Sequence, residues 1–331
     1  MRVALVLGSG GARGYAHIGV IDALREHGLE IVGVSGSSMG ALVGALQAAD
    51  KLDEFTSWAS ALTQRAVLRL LDPSLTAAGV LRAEKILDTV REILGPQQIE
   101  DLPIPYTAVS TDLIAGKSVW LQHGPVDSAI RASIAIPGVI APYLLDGRLL
   151  ADGGILDPLP MAPIAAVNAD ITVAVSLNGN DPGTFRPTEP RPTAELLNRM
   201  RRSTTSLIDR AAASALLDTP TARSVLSRFS NAADAIETEP EAESGTTDST
   251  ADAAVPRLGG FEVMNRTIEI SQAALMRHTL AAYPPDLLID VPRTVCRSLE
   301  FYRASEVIDI GHELACAALD SVNIRQERRD R

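Results

Sequence analysis

A serine stands between two glycines where a predicted strand passes into a predicted helix. The segment Gly36-Ser-Ser-Met-Gly40 matches the pattern G-x-S-x-G around Ser38, with an apolar run before it and an alanine-rich run from Ala41 after it. In a nucleophile elbow, this pattern places a serine hydroxyl on a sharp strand–helix turn, where a base and a substrate carbonyl can reach it. The two glycines allow the strand and the helix to approach closely. The pentapeptide alone also fits an ordinary tight turn, so it predicts a nucleophile only together with further motifs.

A second glycine cluster, Gly8-Ser-Gly-Gly-Ala-Arg-Gly14, follows the first predicted strand and precedes a helix. It differs from the dinucleotide fingerprint because Arg13 occupies the position of the last glycine, and it lacks the Gly-Lys-Ser/Thr ending of a P-loop. The backbone N–H groups of Gly10 and Gly11 can instead form an anion-binding nest, which suits a developing oxyanion. Arg13 can brace such a loop. A purely structural glycine turn is the alternative interpretation.

A carboxylate that can serve as a base lies in Leu149-Leu-Ala-Asp-Gly-Gly-Ile155. Taken alone, Asp152-Gly153 is typical of a turn. A serine hydroxyl needs a base to become a nucleophile, and a carboxylate partly withdrawn from water can have its pKa raised enough to accept the proton. Asp152 is therefore a candidate base for Ser38.

A Ser-His-Asp triad needs a histidine on a suitable loop, and the five histidines do not provide an obvious one. Two lie in the first predicted helix, one precedes the aspartate and two follow it within helical patterns: His17, His27, His123, His278 and His312. The last two leave a triad of the α/β-hydrolase type open as an alternative. The sequence favours a Ser–Asp pair over that triad.

The loop Gly10–Gly14, the elbow Gly36–Gly40 and Asp152-Gly-Gly154, in this order and spacing, resemble the motifs of the patatin-like phospholipase family. The block Ala132–Pro142 also resembles the family's segment before its aspartate, and the resemblance covers about residues 3–178. It implies a three-layer α/β/α fold with a mainly parallel central sheet. It also implies lipid acyl hydrolase activity, for which no metal or organic cofactor is expected.

The resemblance gives each catalytic motif a role. Ser38 would be the nucleophile and Asp152 the general base, with Gly36 and Gly40 shaping the elbow. Such a dyad forms an acyl-enzyme from a lipid ester, which water then hydrolyses. Transfer of the acyl group to another acceptor shares this intermediate. A catalytically silent interaction protein that keeps the fold is a further alternative.

The resemblance also implies an oxyanion hole in the first glycine loop. The backbone N–H groups of Gly10, Gly11 and Ala12 would hold the oxyanion of the tetrahedral intermediate. Arg13 and Gly14 would support the loop.

Composition limits the class of protein. The chain has 331 residues, 46% hydrophobic and only 4% aromatic, which suits an aliphatic core between parallel strands and helices. The formal net charge of −11 argues against nucleic-acid binding. Cys296 and Cys316 show neither a disulfide framework nor a metal-binding spacing. The short apolar N-terminal run and the lack of a membrane-spanning stretch predict a cytoplasmic protein.

Continuous apolar runs alternate with helical patterns along the chain. The predicted strands are Val3–Leu7, Ile31–Ser35, Tyr106–Thr111, Ser118–Leu121, Ile171–Leu177 and Leu287–Val291. The predicted helices between them are Tyr15–His27, Ala41–Ala49, Leu52–Arg65, Ala83–Leu94, Asp127–Ser133 and Pro163–Asn168. This alternation indicates an α/β fold with a mainly parallel sheet.

The chain divides into a catalytic core at 1–178 and three further parts. Residues 179–231 are predicted to be helical, and four arginines within Leu196–Leu216 suit either contact with an anionic membrane surface, such as the inner membrane, or packing on the sheet. Residues 232–258 are predicted to be a disordered acidic insertion, since they hold seven acidic residues and no Lys or Arg before Arg257. Residues 259–331 are predicted to complete the core with a helix to about Leu280, a strand, and a helix from about Ser305 to Ser321 before a charged tail.

Overall fold

One mixed sheet organises the residues that the computed structural model describes, which are 1–70, 84–179 and 260–329. Its strands in chain order are β1 Arg2–Leu7, β2 Glu30–Ser37, β3 Tyr106–Asp112, β4 Lys117–Leu121, β5 Tyr143–Leu145, β6 Arg148–Asp152, β7 Ile171–Gly179 and β8 Leu287–Pro292. The strand order is β5-β6-β3-β2-β1-β7-β8, with β4 also paired to β3. The five neighbouring strands β3-β2-β1-β7-β8 run parallel to one another. Strands β4, β5 and β6 make antiparallel pairs.

Helices connect and cover these strands. They are α1 Ala16–Glu26, α2 Met39–Ala48, α3 Leu52–Ser60, α4 Gln64–Leu70, α5 Glu84–Leu94, α6 Val126–Ser133, α7 Gly260–Ala282 and α8 Ala304–Arg329. A short 3-10 turn, Gly11–Tyr15, leads from β1 into α1. No helix in the described part of the chain is long and apolar enough to cross a membrane.

Strand β1 shows how the layers arise, because its side chains alternate between two cores. Val3, Leu5 and Leu7 pack in the larger cluster with residues of α1, α2 and α8. Ala4 and Val6 face a smaller cluster that includes Met276 of α7. Burial on both faces explains why the strand is continuously apolar in sequence. The expected three-layer α/β/α fold with a mainly parallel sheet is confirmed.

All six predicted strands are present, within two residues at each end. The edge hairpin of β5 and β6 was not predicted, although Asp146-Gly147 between the strands is a typical hairpin turn with positive φ at both residues. The predicted helix Leu52–Arg65 is divided into α3 and α4, and the Thr63 hydroxyl accepts a hydrogen bond from the Ala66 N–H at the start of α4.

Two other helix predictions need correction. The helix expected at Pro163–Asn168 is wrong, because only a 3-10 turn forms there, at Ala162–Ile164. Six residues with a proline at the start give too few hydrogen bonds to offset helix nucleation. The last helix, α8, continues to Arg329 rather than ending at Ser321.

Several predictions fall outside the described residues or are untested by them. The helical pattern within 179–231, with the arginine-bearing stretch Leu196–Leu216, and the acidic insertion at 232–258 lie almost wholly in the undescribed range 180–259. Membrane contact through those arginines therefore stays a prediction, as does the cytoplasmic location. Within the described residues, β8 pairs with β7, so the C-terminal part extends the sheet begun by the N-terminal part.

Candidate active site

Ser38 occupies a strained turn between β2 and α2. Its backbone has φ 56° and ψ −122°, a conformation that costs a non-glycine residue free energy and that is concentrated at functional sites. A Cβ atom at Gly36 would lie 2.3 Å from the Gly40 carbonyl oxygen, and one at Gly40 would lie 2.1 Å from the Leu7 carbonyl oxygen. Both positions therefore require glycine, and the elbow has the geometry that its sequence predicts.

Asp152 meets Ser38 from the end of β6. The Ser38 hydroxyl donates a hydrogen bond to Asp152 Oδ2 at 2.5 Å, and the Gly154 N–H donates to Asp152 Oδ1 at 2.8 Å. The backbone of Asp152 is also held, since its N–H donates to the Ala135 carbonyl and its carbonyl accepts from the Thr111 hydroxyl. Both carboxylate oxygens are thus engaged, and one of them contacts the predicted nucleophile directly.

Burial changes the proton affinity of this carboxylate. Asp152 is only 4% exposed, and burial raises its pKa from 3.8 to about 6, while the hydrogen bonds from Ser38 and Gly154 act to lower the pKa. Desolvation therefore outweighs the hydrogen bonds. A carboxylate with this pKa is ionised at neutral pH, yet it is a stronger base than an exposed aspartate.

The backbone N–H groups of the first glycine loop are not equally free. The N–H of Ser9 donates to the Pro158 carbonyl and that of Ala12 to the Ser298 carbonyl, both at 2.9 Å. Across the part of the chain that is described, the N–H groups of Gly10 and Gly11 have no protein partner. Both glycines line the same pocket as the serine and the aspartate. Two of the three predicted oxyanion donors are therefore available, and the Ala12 N–H is already occupied.

Arg13 fastens this loop to the rest of the structure. Its side chain is 5% exposed and donates to the Gly10 carbonyl at 3.2 Å, to Glu269 of α7 at 3.0 Å and to the Ser298 hydroxyl at 3.3 Å. Because its charge is paired with Glu269, Arg13 braces the loop rather than offering a free cation to the substrate. Gly14, the other predicted support residue, is buried in the 3-10 turn that follows.

Ser133 is a site residue that the sequence analysis did not identify. Its hydroxyl accepts a hydrogen bond from the Ser38 N–H at 2.9 Å and donates one to the Val109 carbonyl at 2.6 Å. Two residues later, Ala135 holds the backbone of Asp152. One segment thus fixes both halves of the Ser–Asp pair. Its only signal in the sequence was the block Ala132–Pro142, noted for its resemblance but given no role.

Apolar side chains line much of the pocket. They come from the segment after α6, from the turn after Asp152 and from α7: Ile136, Pro137, Val139, Ile155, Met264 and Ile268. The cavity volume is about 50 Å³, and the pocket is partly open to the surface. Apolar walls around a few polar groups are typical of sites that bind largely apolar ligands.

None of the five histidines, all of which lie in described segments, lines this pocket. His17 is buried and contacts the Gly8 carbonyl at 2.8 Å, and burial lowers its pKa to about 4. His312 contacts Glu26 at 2.8 Å, while His123 and His278 are exposed. The arrangement therefore offers Ser38 an aspartate and no histidine.

Comparison with known proteins gives consistent results. The family profile described as Patatin-like phospholipase matches residues 5–165. An NTE family protein of Mycobacterium tuberculosis is 66% identical over 334 residues, which cover 98% of this chain and 92% of that protein. Patatin-like phospholipase domain-containing protein 6 of Homo sapiens is 34% identical and neuropathy target esterase sws of Drosophila melanogaster is 32% identical. Each of these matches covers 54% of this chain, but only 14% and 13% of the longer animal proteins, respectively.

Proposed function

The chain belongs to the patatin-like phospholipase family, and from this premise we propose that it hydrolyses carboxylic esters of lipids through a Ser38–Asp152 dyad. The family supports lipid ester hydrolysis in general. The geometry around Ser38, Asp152 and the first glycine loop supports the dyad and the oxyanion donors as part of this proposal. Phospholipids and lysophospholipids are the substrate class that the family suggests first.

One observation carries the proposal. The hydroxyl of Ser38, held on a strained turn, donates a 2.5 Å hydrogen bond to a buried carboxylate whose pKa is raised to about 6. A nucleophile and a base within hydrogen-bond distance are the minimum that acyl transfer requires. A turn with only a structural role would not need a serine in a strained conformation that faces a desolvated aspartate.

The reaction would proceed in two halves. In the first half, Ser38 Oγ attacks the ester carbonyl while its proton passes to Asp152, and the N–H groups of Gly10 and Gly11 bind the oxyanion. Protonated Asp152 then gives the proton to the departing alcohol, which leaves an acyl group on Ser38. In the second half, Asp152 takes a proton from water, the resulting attack forms a second oxyanion, and the fatty acid is released as Ser38 regains its proton.

The experiment compares four proteins in the hydrolysis of phosphatidylcholine vesicles and of a short-chain nitrophenyl ester. They are the wild type, Ser38→Ala, Asp152→Asn and the matched control Ser37→Ala. Ser37 is the neighbouring serine, and its buried hydroxyl has no hydrogen-bond partner among the described residues, so its removal breaks no hydrogen bond of the site. We expect loss of about 10³-fold or more in Ser38→Ala and of about 10²- to 10⁴-fold in Asp152→Asn. Ser37→Ala should retain activity.

Other outcomes separate the alternatives. Substantial activity in Ser38→Ala would show that another group is the nucleophile. Loss of activity in His278→Gln would favour a histidine triad, whereas the dyad predicts that this exposed residue is dispensable. Acylated alcohol in place of free fatty acid would identify a transferase. A folded wild type that cleaves neither ester would contradict the proposal in favour of a silent relative.

A further inference from the structure

Helices α1 and α8 pack with their backbones in direct contact. A Cβ atom at Gly19 of α1 would lie 2.0 Å from the Ile308 carbonyl oxygen, and one at Gly311 of α8 would lie 2.2 Å from the Ala16 carbonyl oxygen. Both helices therefore use glycine at the crossing. Because no side chain separates the helix axes there, the side chains that flank the crossing come within bonding distance of one another.

Three of these flanking side chains bring metal-binding atoms together. His312 and Cys316 are one turn apart on the same face of α8, and Glu26 ends α1. Glu26 Oε2 lies 2.8 Å from His312 Nε2, and Cys316 Sγ lies 3.9 Å from the same nitrogen. One donor atom from each residue lies within 4.8 Å of the other two.

The donor set is characteristic of a borderline-soft divalent cation. Zn²⁺ binds imidazole nitrogen, thiolate sulfur and carboxylate oxygen at about 2.0–2.3 Å, so neighbouring ligand atoms around a tetrahedral ion lie about 3.3–3.8 Å apart. The separations among Glu26, His312 and Cys316 bracket that range. We propose that these three residues form a Zn²⁺ site that joins α1 to α8, with its fourth position open to water.

The charges around the cluster favour a cation. A surface pocket beside it is lined by residues of both helices: Asp22, Arg25, Glu26, Ile308, Asp309 and His312. The guanidinium of Arg25 is already held by Asp53 at 3.1 Å, by Gln47 at 2.8 Å and by Asp22 of the pocket at 3.6 Å. The remaining charged groups of the pocket are carboxylates, whose field attracts a dication.

An ordinary ion pair between His312 and Glu26 explains less of this arrangement. Such a pair does not account for the contact between the Cys316 thiol and the imidazole, although Cys316 is half-buried and also packs against the main apolar core that contains Cys296. A bound dication stabilises a coordinating thiol as the thiolate, so the three residues can act as ligands together.

The site lies apart from the pocket that holds Ser38, and its existence does not depend on the proposed reaction. Its effect on the fold follows from its position. Helix α1 begins directly after the 3-10 turn Gly11–Tyr15, and α8 is the last element of the described chain. A metal bridge would fasten the C-terminal helix to the helix that follows the oxyanion loop.

The test is a Co²⁺ titration of the reduced, chelator-treated protein, followed by competition with Zn²⁺. Co²⁺ replaces Zn²⁺ in such sites, and a bound thiolate gives it a near-ultraviolet sulfur-to-metal charge-transfer band. We expect one saturable site with this band in the wild type. The band should be absent in Cys316→Ala, and Zn²⁺ affinity should fall by at least about tenfold in His312→Gln and in Glu26→Gln.

Matched controls use a cysteine and a histidine elsewhere, Cys296→Ala and His123→Gln, which should bind like the wild type. Zn²⁺ should also raise the thermal unfolding midpoint of the wild type but not of Cys316→Ala. A wild type without the charge-transfer band overturns the proposal, as does a band that survives in Cys316→Ala. Unchanged Zn²⁺ affinity in Glu26→Gln refutes the bridge between the two helices. Because all readouts are binding or unfolding, their failure is distinct from a failure of the esterase assay.

Discussion

Replacing Asp152 with asparagine should stabilise the protein at neutral pH while abolishing most of its activity. Burial raises the pKa of Asp152 from 3.8 to about 6, so the folded state disfavours the ionised carboxylate, which is the form that acts as the base. Each pKa unit corresponds to about 1.4 kcal/mol, and the raised pKa therefore costs the ionised wild type about 3 kcal/mol of unfolding free energy. Asparagine carries no charge and keeps the shape needed to accept from Gly154 and to contact Ser38.

The stabilisation should depend on pH in a defined direction. Because the pKa of Asp152 is raised on folding, the folded state binds more protons than the unfolded state between about pH 3.8 and pH 6. The wild type therefore carries no ionisation cost well below pH 3.8 and the full cost above pH 6. The advantage of Asp152→Asn should be about 3 kcal/mol near pH 8 and less than about 1 kcal/mol near pH 4.

Chemical denaturation of both proteins at these two pH values measures the difference in their unfolding free energies. The two pH values lie on either side of the sequence pI of about 5.0. Asp157, whose pKa burial also raises to about 6, is present in both proteins and cancels in the comparison. The reasoning is refuted if Asp152→Asn is no more stable than the wild type near pH 8. It is equally refuted if the advantage is the same near pH 4, since the effect would then not come from ionisation.

Three further predictions concern the same site. The kcat/KM for a neutral ester should fall about tenfold per pH unit below pH 6, where Asp152 is protonated, and a flat profile down to pH 5 would exclude it as the base. Ser133→Ala should leave the Ser38 N–H without its acceptor, which costs about 1–3 kcal/mol of unfolding free energy and lowers kcat by about tenfold or more with little change in KM; a change in KM alone would contradict this. Glu269→Ala should lower the unfolding free energy by about 3 kcal/mol because Arg13 loses its buried partner. The double variant Glu269→Ala/Arg13→Ala should lose much less unfolding free energy than the sum of the two single losses.

The site residues divide into those with a local signature and those without one. Ser38 and Asp152 stand in glycine motifs that are recognisable within a few residues, although the bond between them spans 114 positions. Ser133 and Glu269 have no such signature. They act through contacts with residues 95 and 256 positions away, and only the packing of α6 and α7 against the elbow and the loop creates those contacts.

The same distinction holds for the fold and for the metal cluster. Strands buried on both faces are visible as apolar runs, whereas β5 and β6 are three and five residues long and lie at the sheet edge, where burial imposes little pattern. The pair His312 and Cys316 has helical spacing, but its partner Glu26 lies 286 positions from His312. Only the close crossing of α1 and α8 brings the three together.

Labelling with a fluorophosphonate probe, followed by peptide mapping, tests the central claim most directly. The account predicts a single covalent adduct, on Ser38, with loss of labelling in Ser38→Ala and normal labelling in Ser37→Ala. It also predicts that labelling of the wild type slows below about pH 6, as Asp152 becomes protonated. An adduct on a different serine, or an unlabelled Ser38 in a protein that still hydrolyses esters, would contradict the assignment of Ser38 as an aspartate-activated nucleophile.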